Sequence, residues 1–102
     1  MLAAPINVRQ QELAEFCRRN GIRKLALFGS VLTPNFTETS DIDVLVEFEP
    51  TARVGYLRMA ALEQELSDLF GGRKIDLRTP AELSRYFRDD VMRTAVVQYA
   101  AE

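Results

Sequence analysis

The stretch from Asp41 to Glu49 alternates between apolar and mostly acidic residues, and this two-residue period restricts it to a β-strand with one buried face. Asp41 and Asp43 then point the same way, away from the core. Two ionised carboxylates about 4 Å apart repel by roughly 4 kcal/mol at an effective dielectric of about 20. A fold that keeps such a pair usually holds a cation between them, so we expect a divalent metal here. The apolar face of this strand is formed by Ile42, Val44, Val46 and Phe48.

Another strand is predicted upstream, because the residues from Leu25 to Phe28 form an apolar run that ends at the turn-forming Gly29. Ser30 opens the connection, in which Pro34 and several Thr and Asn residues favour a short helical turn followed by a loop. If the two strands pair as antiparallel neighbours, the Gly-Ser turn and the two carboxylates share one edge of the sheet.

Apolar residues with helical spacing are found both before and after these strands. Asn7 is a good N-cap and Gln10 completes a capping box, so a first helix is expected to begin at Asn7 and to end at Gly21. A second helical pattern runs from Thr51 to the glycine pair that starts at Gly71. The predicted buried stripes are Leu13, Phe16 and Cys17 in the first helix and Val54, Leu57, Ala61, Leu62, Leu66, Leu69 and Phe70 in the second.

A third strand, from Lys74 to Leu77, places Asp76 between two apolar residues, so Asp76 is expected to face outward. The helical crossover allows this strand to lie parallel beside the preceding one, which brings Asp76 next to Asp43. We therefore expect three carboxylates to meet, the third being that of Asp41.

Thr79, Pro80 and Glu82 form a helix-start signal, which predicts a last helix reaching to the end of the sequence. Its final part is apolar nearly all round, and this suggests that a partner covers it. Together the elements predict a single domain over residues 1–102 of mixed α/β (α+β) class, with a three-stranded sheet flanked by about four helices. The apolar residues of the last predicted helix are Leu83, Tyr86, Phe87, Val91, Ala95 and Tyr99.

Composition excludes several classes of protein. A net charge of −2, with scattered Lys and Arg, argues against direct nucleic-acid binding through phosphate contacts. The single cysteine, Cys17, excludes an internal disulfide framework and is interpreted as a core residue, and without histidine any metal must be held by oxygen. No apolar run suits a membrane span, so a cytoplasmic protein is expected. A chain of 102 residues buries one modest core, and an enzyme of this size is expected to be completed by a partner.

The Gly29-Ser30 turn, the gap of ten residues, the Asp41-Ile42-Asp43 strand and the third acid at Asp76 together resemble the nucleotidyltransferase fold of the DNA polymerase beta superfamily. The pattern is most similar to the minimal MNT-type proteins, which are antitoxins paired with small helical HEPN-type toxins in prokaryotes. The likeness covers nearly the whole chain.

This resemblance implies the transfer of an adenylyl group from ATP to a hydroxyl, a tyrosine of the HEPN-type toxin, with two magnesium ions. Two such ions roughly 3.5 to 4 Å apart activate the attacking oxygen and stabilise the leaving one. By the same resemblance, Asp41 and Asp43 would ligate metal, and Asp76 would hold the catalytic metal and accept the proton of the incoming hydroxyl. The implied nucleotide-binding residues are Gly29, Ser30 and Ser40.

The sequence departs from the family at Thr33 and Pro34, where relatives commonly carry a basic residue followed by glycine. This departure leaves a second hypothesis open, in which the chain is a binding module that neutralises its toxin by covering it, without chemistry. Taken alone, an Asp-x-Asp pair is more simply a solvated strand face, and only the joint pattern favours a site. A calcium-binding loop is excluded, because Val46 and Ala52 stand where that loop needs Gly and Glu.

Overall fold

The structure is a computed structural model that describes residues 8–101. Within this described part, three α-helices and four β-strands follow one another, with single 3₁₀ turns at Gly29–Leu32 and Pro80–Glu82. The helices and strands are α1 (Gln10–Arg19), β1 (Ile22–Phe28), β2 (Ile42–Phe48), α2 (Tyr56–Leu69), β3 (Ile75–Arg78), α3 (Arg88–Thr94) and β4 (Val96–Ala100).

The four strands form one mixed sheet in the order β3-β2-β1-β4. β1 pairs antiparallel with β2 on one side and with β4 on the other, whereas β2 and β3 are parallel and joined through α2. The predicted pairing of the first three strands and the mixed α/β class are therefore confirmed. The prediction of three strands was wrong, because the end of the chain supplies a fourth.

One face of the sheet is covered by α1 and α2. Residues of all three predicted strands alternate into this core, and the helices contribute the stripe of α1 and one side of α2. A smaller cluster lies on the opposite face, where Leu83 packs on Ala26 and Leu45, with Val91 and Ala95 beside them. The main core is formed by Leu13, Phe16, Cys17, Ile22, Leu25, Leu27, Val31, Ile42, Val44, Val46, Leu62, Leu66, Phe70, Ile75 and Leu77.

The first helix ends as predicted but begins later than predicted. Gly21 follows it with a φ of 67°, and the buried stripe includes Cys17. Burial raises the pKa of the Cys17 thiol to about 12, so this cysteine is a core residue rather than a nucleophile. At the other end, the N-cap is Arg9 in extended backbone, and the helix starts at Gln10. The proposed cap Asn7 lies outside the described residues.

The second helix begins at Tyr56, after Gly55, rather than near Thr51. Two residues of its predicted buried stripe are exposed: Leu57, which is 83% exposed, and Ala61. At 100° per residue, Leu57 lies about 140° around the helix from the buried Leu62, on the opposite side. The remaining predicted residues lie in the main core or pack against it, although Val54 precedes the helix and Phe70 is its C-cap: Val54, Leu62, Leu66, Leu69 and Phe70.

The prediction of one long last helix was wrong. The capping box at Thr79 and Glu82 is present, with Glu82 Oε1 accepting from the Thr79 N–H at 2.8 Å, but it caps only a 3₁₀ turn. Leu83 then returns to extended backbone, and the helix resumes for seven residues in α3. The next residues form β4 because the β-branched pair Val96-Val97 suits a strand that pairs with β1.

The apolar tail is therefore used inside the molecule. Tyr99 packs against the main core, and Ala95 against the smaller cluster. Val97 is still 47% exposed, so pairing with β1 covers this tail only in part, and a partner that covers it stays a prediction. No helix between residues 8 and 101 has the length and apolar character needed to cross a membrane. The cytoplasmic location stays a prediction.

Candidate active site

Asp43 and Asp76 lie side by side on adjacent parallel strands. They are paired in register, and their neighbours Ile42 and Ile75 are paired in the same way but point into the main core. Side chains alternate along a strand, so both carboxylates belong to the face opposite α1 and α2. The sequence prediction that Asp76 lies next to Asp43, on the same side of the sheet, is confirmed.

The Gly29-Ser30 turn lies against the same carboxylates. Phe28 at the end of β1 is paired with Asp43 at the start of β2, so the chain leaves the sheet directly beside the acid. Gly29 has a φ of 77°, and a Cβ on it would overlap the Asp43 carboxylate, with Oδ2 as the nearest atom. Only glycine fits both the backbone conformation and this close approach.

The carboxyl of Asp43 has a raised pKa. Its pKa is raised first by burial, then by the negative charges of Asp76 and Asp41. The charge of Arg78 and a hydrogen bond from the backbone N–H of Ser30 act in the opposite direction. A partly buried acid surrounded by other acids is the environment in which a cation binds favourably, because the ion relieves the repulsion that raises the pKa.

The other two acids turn towards neighbouring cations. Arg78, two residues along β3, contacts Asp76 through two atoms, with Nε 3.2 Å from Oδ1 and Nη2 3.4 Å from Oδ2. Lys74 Nζ lies 3.8 Å from Asp41 Oδ2. The hydrogen bond to Asp76 is also the main reason why the pKa of Arg78 is raised above its usual value.

Magnesium prefers carboxylate oxygens as ligands, so the chemistry of these three side chains suits the ion. Within residues 8–101, no three Asp, Glu, Cys or His side chains are placed to hold a metal together. The strands bring Asp43 and Asp76 together, and the charges of Asp76 and Asp41 both act on Asp43, while Asp76 is paired with Arg78 and Asp41 with Lys74. The metal-binding roles of Asp41, Asp43 and Asp76 stay predictions.

Ser40 has a structural place in the loop before β2. Its hydroxyl accepts the Thr37 N–H at 3.0 Å, and its carbonyl accepts from Arg73 Nη2, also at 3.0 Å. Arg73 further donates to the Thr37 carbonyl at 2.8 Å and stacks over Phe36, 4.7 Å from the ring centre. These contacts of the Arg73 guanidinium stabilise the loop segment that precedes Asp41. A role of Ser40 in nucleotide binding stays a prediction.

Sequence reasoning missed two arginines of this region. Arg78 carries a signal in the sequence, since it is two residues after Asp76 in a strand and must share its face. Arg73 carries none, because its contacts are to backbone carbonyls of a loop more than 30 residues away. The unusual Thr33 does not contribute a cation to the turn; its hydroxyl donates to the Ser30 carbonyl at 2.8 Å.

Asp76 and Arg78 also line an open groove with a volume of about 370 Å³. The other wall is the start of α2, where Tyr56 is 89% exposed. The Gly29-Ser30 turn approaches Asp43 from the side of β1, whereas this groove approaches Asp76 from the side of α2. The paired acids therefore lie between two approaches. The other groove residues are Met59, Ala60, Glu63, Leu77 and Glu82.

Comparison with known proteins places this geometry in a family. A model of the nucleotidyltransferase domain matches residues 10–98. The protein adenylyltransferase MntA of Thermococcus cleftensis is 33% identical over 91 residues, which are 89% of this chain and 86% of that protein. A candidate protein adenylyltransferase of Methanocaldococcus jannaschii is 48% identical over 56 residues, and that alignment spans 55% of this chain and 54% of the relative's length.

Solved structures agree. A structure of a minimal nucleotidyltransferase is 32% identical, with a TM-score of 0.69, and the alignment covers 86% of this chain and 87% of that one. A toxin-antitoxin crystallised with AMP-PNP has a TM-score of 0.70 over 93% of this chain and 76% of that one; at 18% identity it shows the fold alone. From the extent of these matches, this chain belongs to the nucleotidyltransferase domain family.

Proposed function

We propose that this chain is a protein adenylyltransferase that acts as an antitoxin, moving AMP from ATP to a tyrosine hydroxyl of a HEPN-type toxin. The observation that carries the proposal is the register pair Asp43 and Asp76 beside the Gly29-Ser30 turn. Two acids next to a glycine-based turn suit nucleotidyl transfer, because the carboxylates would hold the cations that neutralise the charge of a triphosphate, and the turn would let the phosphates approach the backbone.

In the proposed reaction the acceptor oxygen attacks the α-phosphorus of ATP. A new phosphorus–oxygen bond forms, the bond to the β-phosphate oxygen breaks, and pyrophosphate leaves. Asp76 takes the acceptor proton, since it is the acid that lines the groove. Gly29 and Ser30 bind the terminal phosphates, where the absence of a Cβ at Gly29 lets the backbone approach closely. Asp41, Asp43 and Asp76 would hold magnesium, two ions, which would neutralise the phosphate charge.

The similar proteins support the partner and the nucleotide. One of them is named a protein adenylyltransferase, and the toxin-antitoxin of the same fold was crystallised with an ATP analogue. The groove at Asp76 supports a protein acceptor, because it is open to solvent-exposed residues such as Tyr56 instead of being enclosed. The HEPN-type identity of the toxin, the tyrosine acceptor and the number of magnesium ions follow from the resemblance in sequence.

The direct test is incubation with ATP labelled at the α-phosphate, magnesium and the product of the adjacent reading frame. We expect label on that protein, and a loss of about 100-fold or more with the double substitution Asp41→Asn and Asp43→Asn. The double substitution Asp68→Asn and Asp89→Asn changes the same charge at exposed positions and is expected to leave transfer intact. Absence of label transfer by the unmodified protein would reject the proposal.

A second candidate is a binding module that neutralises the toxin by covering it. The observation in its favour is that Asp76 is held by Arg78 and no metal-holding cluster is formed within residues 8–101. Growth rescue separates the two candidates. If the Asp41→Asn, Asp43→Asn protein still forms the complex and still rescues cells from the toxin, chemistry is unnecessary. If the complex forms and rescue is lost, the enzyme is required.

A further inference from the structure

Arg78 forms an ion pair with Asp76, the acid that takes the acceptor proton in the proposed reaction. It follows Asp76 by two residues in β3 and therefore stands on the same face of the sheet. The guanidinium uses two nitrogens to contact both oxygens of Asp76, at 3.2 and 3.4 Å. Such a two-atom contact fixes the direction of the carboxylate as well as its charge.

The direction matters because Asp43 lies on the next strand, on the other side of Asp76 from the groove. The two acids are paired in register, yet they are not gathered into a metal-holding group within residues 8–101. Arg78 is the cation that Asp76 contacts in this arrangement. Both oxygens of Asp76 carry a contact to the guanidinium, so an ion shared with Asp43 would compete with a positive charge for the same carboxylate.

We propose that Arg78 is a positioning residue that competes with divalent cations for Asp76, an inference that rests on the proposed function. In the cation-free protein Arg78 acts as an internal counter-ion, so that the face carrying the acids folds without a bound metal. A divalent cation held by Asp43 and Asp76 would have to compete with the Arg78 guanidinium for Asp76. The affinity for the cation is therefore set below the value that the carboxylates alone would give.

The test is the affinity of the protein for a divalent cation, measured without ATP or toxin. The protein is titrated with Mn²⁺, and the free ion is followed by electron paramagnetic resonance. Arg78→Gln removes the charge and keeps most of the side chain. We expect its dissociation constant for Mn²⁺ to be lower than that of the unmodified protein by about three- to tenfold, since both the competing contact and a nearby positive charge are lost. Arg78→Lys keeps the charge without the planar two-atom contact, so an intermediate value is expected.

Arg93→Gln is the matched control, because Arg93 also pairs with an acid, Asp90, but does so in α3. It is expected to leave Mn²⁺ affinity unchanged. If Arg78→Gln binds Mn²⁺ no more tightly than the unmodified protein, or if neither binds it, the inference is overturned. Arg78→Met repeats the measurement should the first variant fail to fold.

These outcomes are independent of the label-transfer experiment. Tighter Mn²⁺ binding by Arg78→Gln together with no label transfer would support the role of Arg78 and reject the enzyme. Label transfer together with unchanged Mn²⁺ affinity would reject the role of Arg78 and leave the enzyme in place.

Discussion

The two faces of the sheet differ in how completely they are covered. On the face towards α1 and α2, residues from β1, β2 and β3 are buried beneath the two helices. The buried residues of this core are all apolar. On the opposite face the cover is a short irregular segment and α3, with Leu83 as its main buried residue. The acids Asp43 and Asp76 stand on this second face.

This difference between the two faces indicates that one face supplies most of the stability and the other carries the candidate site. Burial of apolar area is the main favourable term in folding, so the helix-covered face is expected to hold most of the free energy of folding. The thinly covered face is where the strand ends, a glycine turn and an open groove leave acids within reach of a ligand. A small domain can expose charged, mutually repelling groups on one side because the other side holds it together.

The largest effect on stability is expected from the helix-covered face. Leu66 of α2 is 0% exposed in the main core, so Leu66→Ala should lower the free energy of unfolding by about 3–5 kcal/mol. Leu57→Ala in the same helix is the control, because Leu57 is 83% exposed and its truncation should cost less than about 0.5 kcal/mol. Urea unfolding measures both. Similar costs for the two substitutions would contradict the assignment of this face as the core.

Gly29→Ala is expected to have the next largest effect. A Cβ at a φ of 77° is strained, and here it also meets the Asp43 carboxylate, so we expect a cost of about 2–3 kcal/mol together with loss of label transfer. Gly71 has the same φ of 77° but no atom within 4 Å of the position of a Cβ. Gly71→Ala should therefore cost only the backbone strain, about 1 kcal/mol. Equal losses at the two glycines would show that the contact with Asp43 is unimportant.

A smaller effect is expected at the thin cover. Leu83 is 7% exposed and packs on Ala26 and Leu45, so Leu83→Ala should cost about 1–2 kcal/mol, less than Leu66→Ala, because the irregular segment is able to move into the space. Leu83→Met conserves volume and should cost less still. Thermal unfolding of the two variants provides the comparison. A loss at Leu83 as large as that at Leu66 would mean that both faces hold the domain equally.

The sequence predicted the centre of the fold better than its end. In β2 and β3 the alternation of apolar and acidic residues predicted the buried face and the outward acids, and the helical crossover between them predicted that the two strands are parallel neighbours. The last segment has no such constraint. Its Thr79 capping box is real, but a local cap does not fix length, and pairing with β1 outweighed helical spacing over Val96–Ala100.

The site shows the same limit in its side chains. The backbone positions of Gly29, Asp43 and Asp76 follow from strand register, which the sequence fixes through its hydrophobic pattern. The directions of the carboxylates do not, because they depend on which cation is nearest in space. Arg78 is two residues from the acid it holds, whereas Arg73 reaches across from another loop.

The smallest effect on stability, and one of opposite sign, is expected at Asp43. Its pKa is raised in the folded protein by burial and by the nearby Asp76 and Asp41, so the folded state binds the proton more tightly than the unfolded state does. Unfolding free energy therefore falls as pH rises from the ordinary carboxyl pKa to the raised one, and the cost of the ionised group is complete above that window.

Because asparagine does not ionise, Asp43→Asn in chelator should be at least as stable as the unmodified protein at neutral pH, and its advantage should shrink as the pH falls from the raised pKa of Asp43 to the ordinary carboxyl pKa. Asp68→Asn on the surface of α2 controls for the change in net charge. Urea unfolding across the pH range measures the difference. Added magnesium should reverse the order, since only the unmodified protein gains stability from a bound ion. A variant that is less stable in chelator at neutral pH would show that Asp43 supports the fold, and the separation of the two faces would fail.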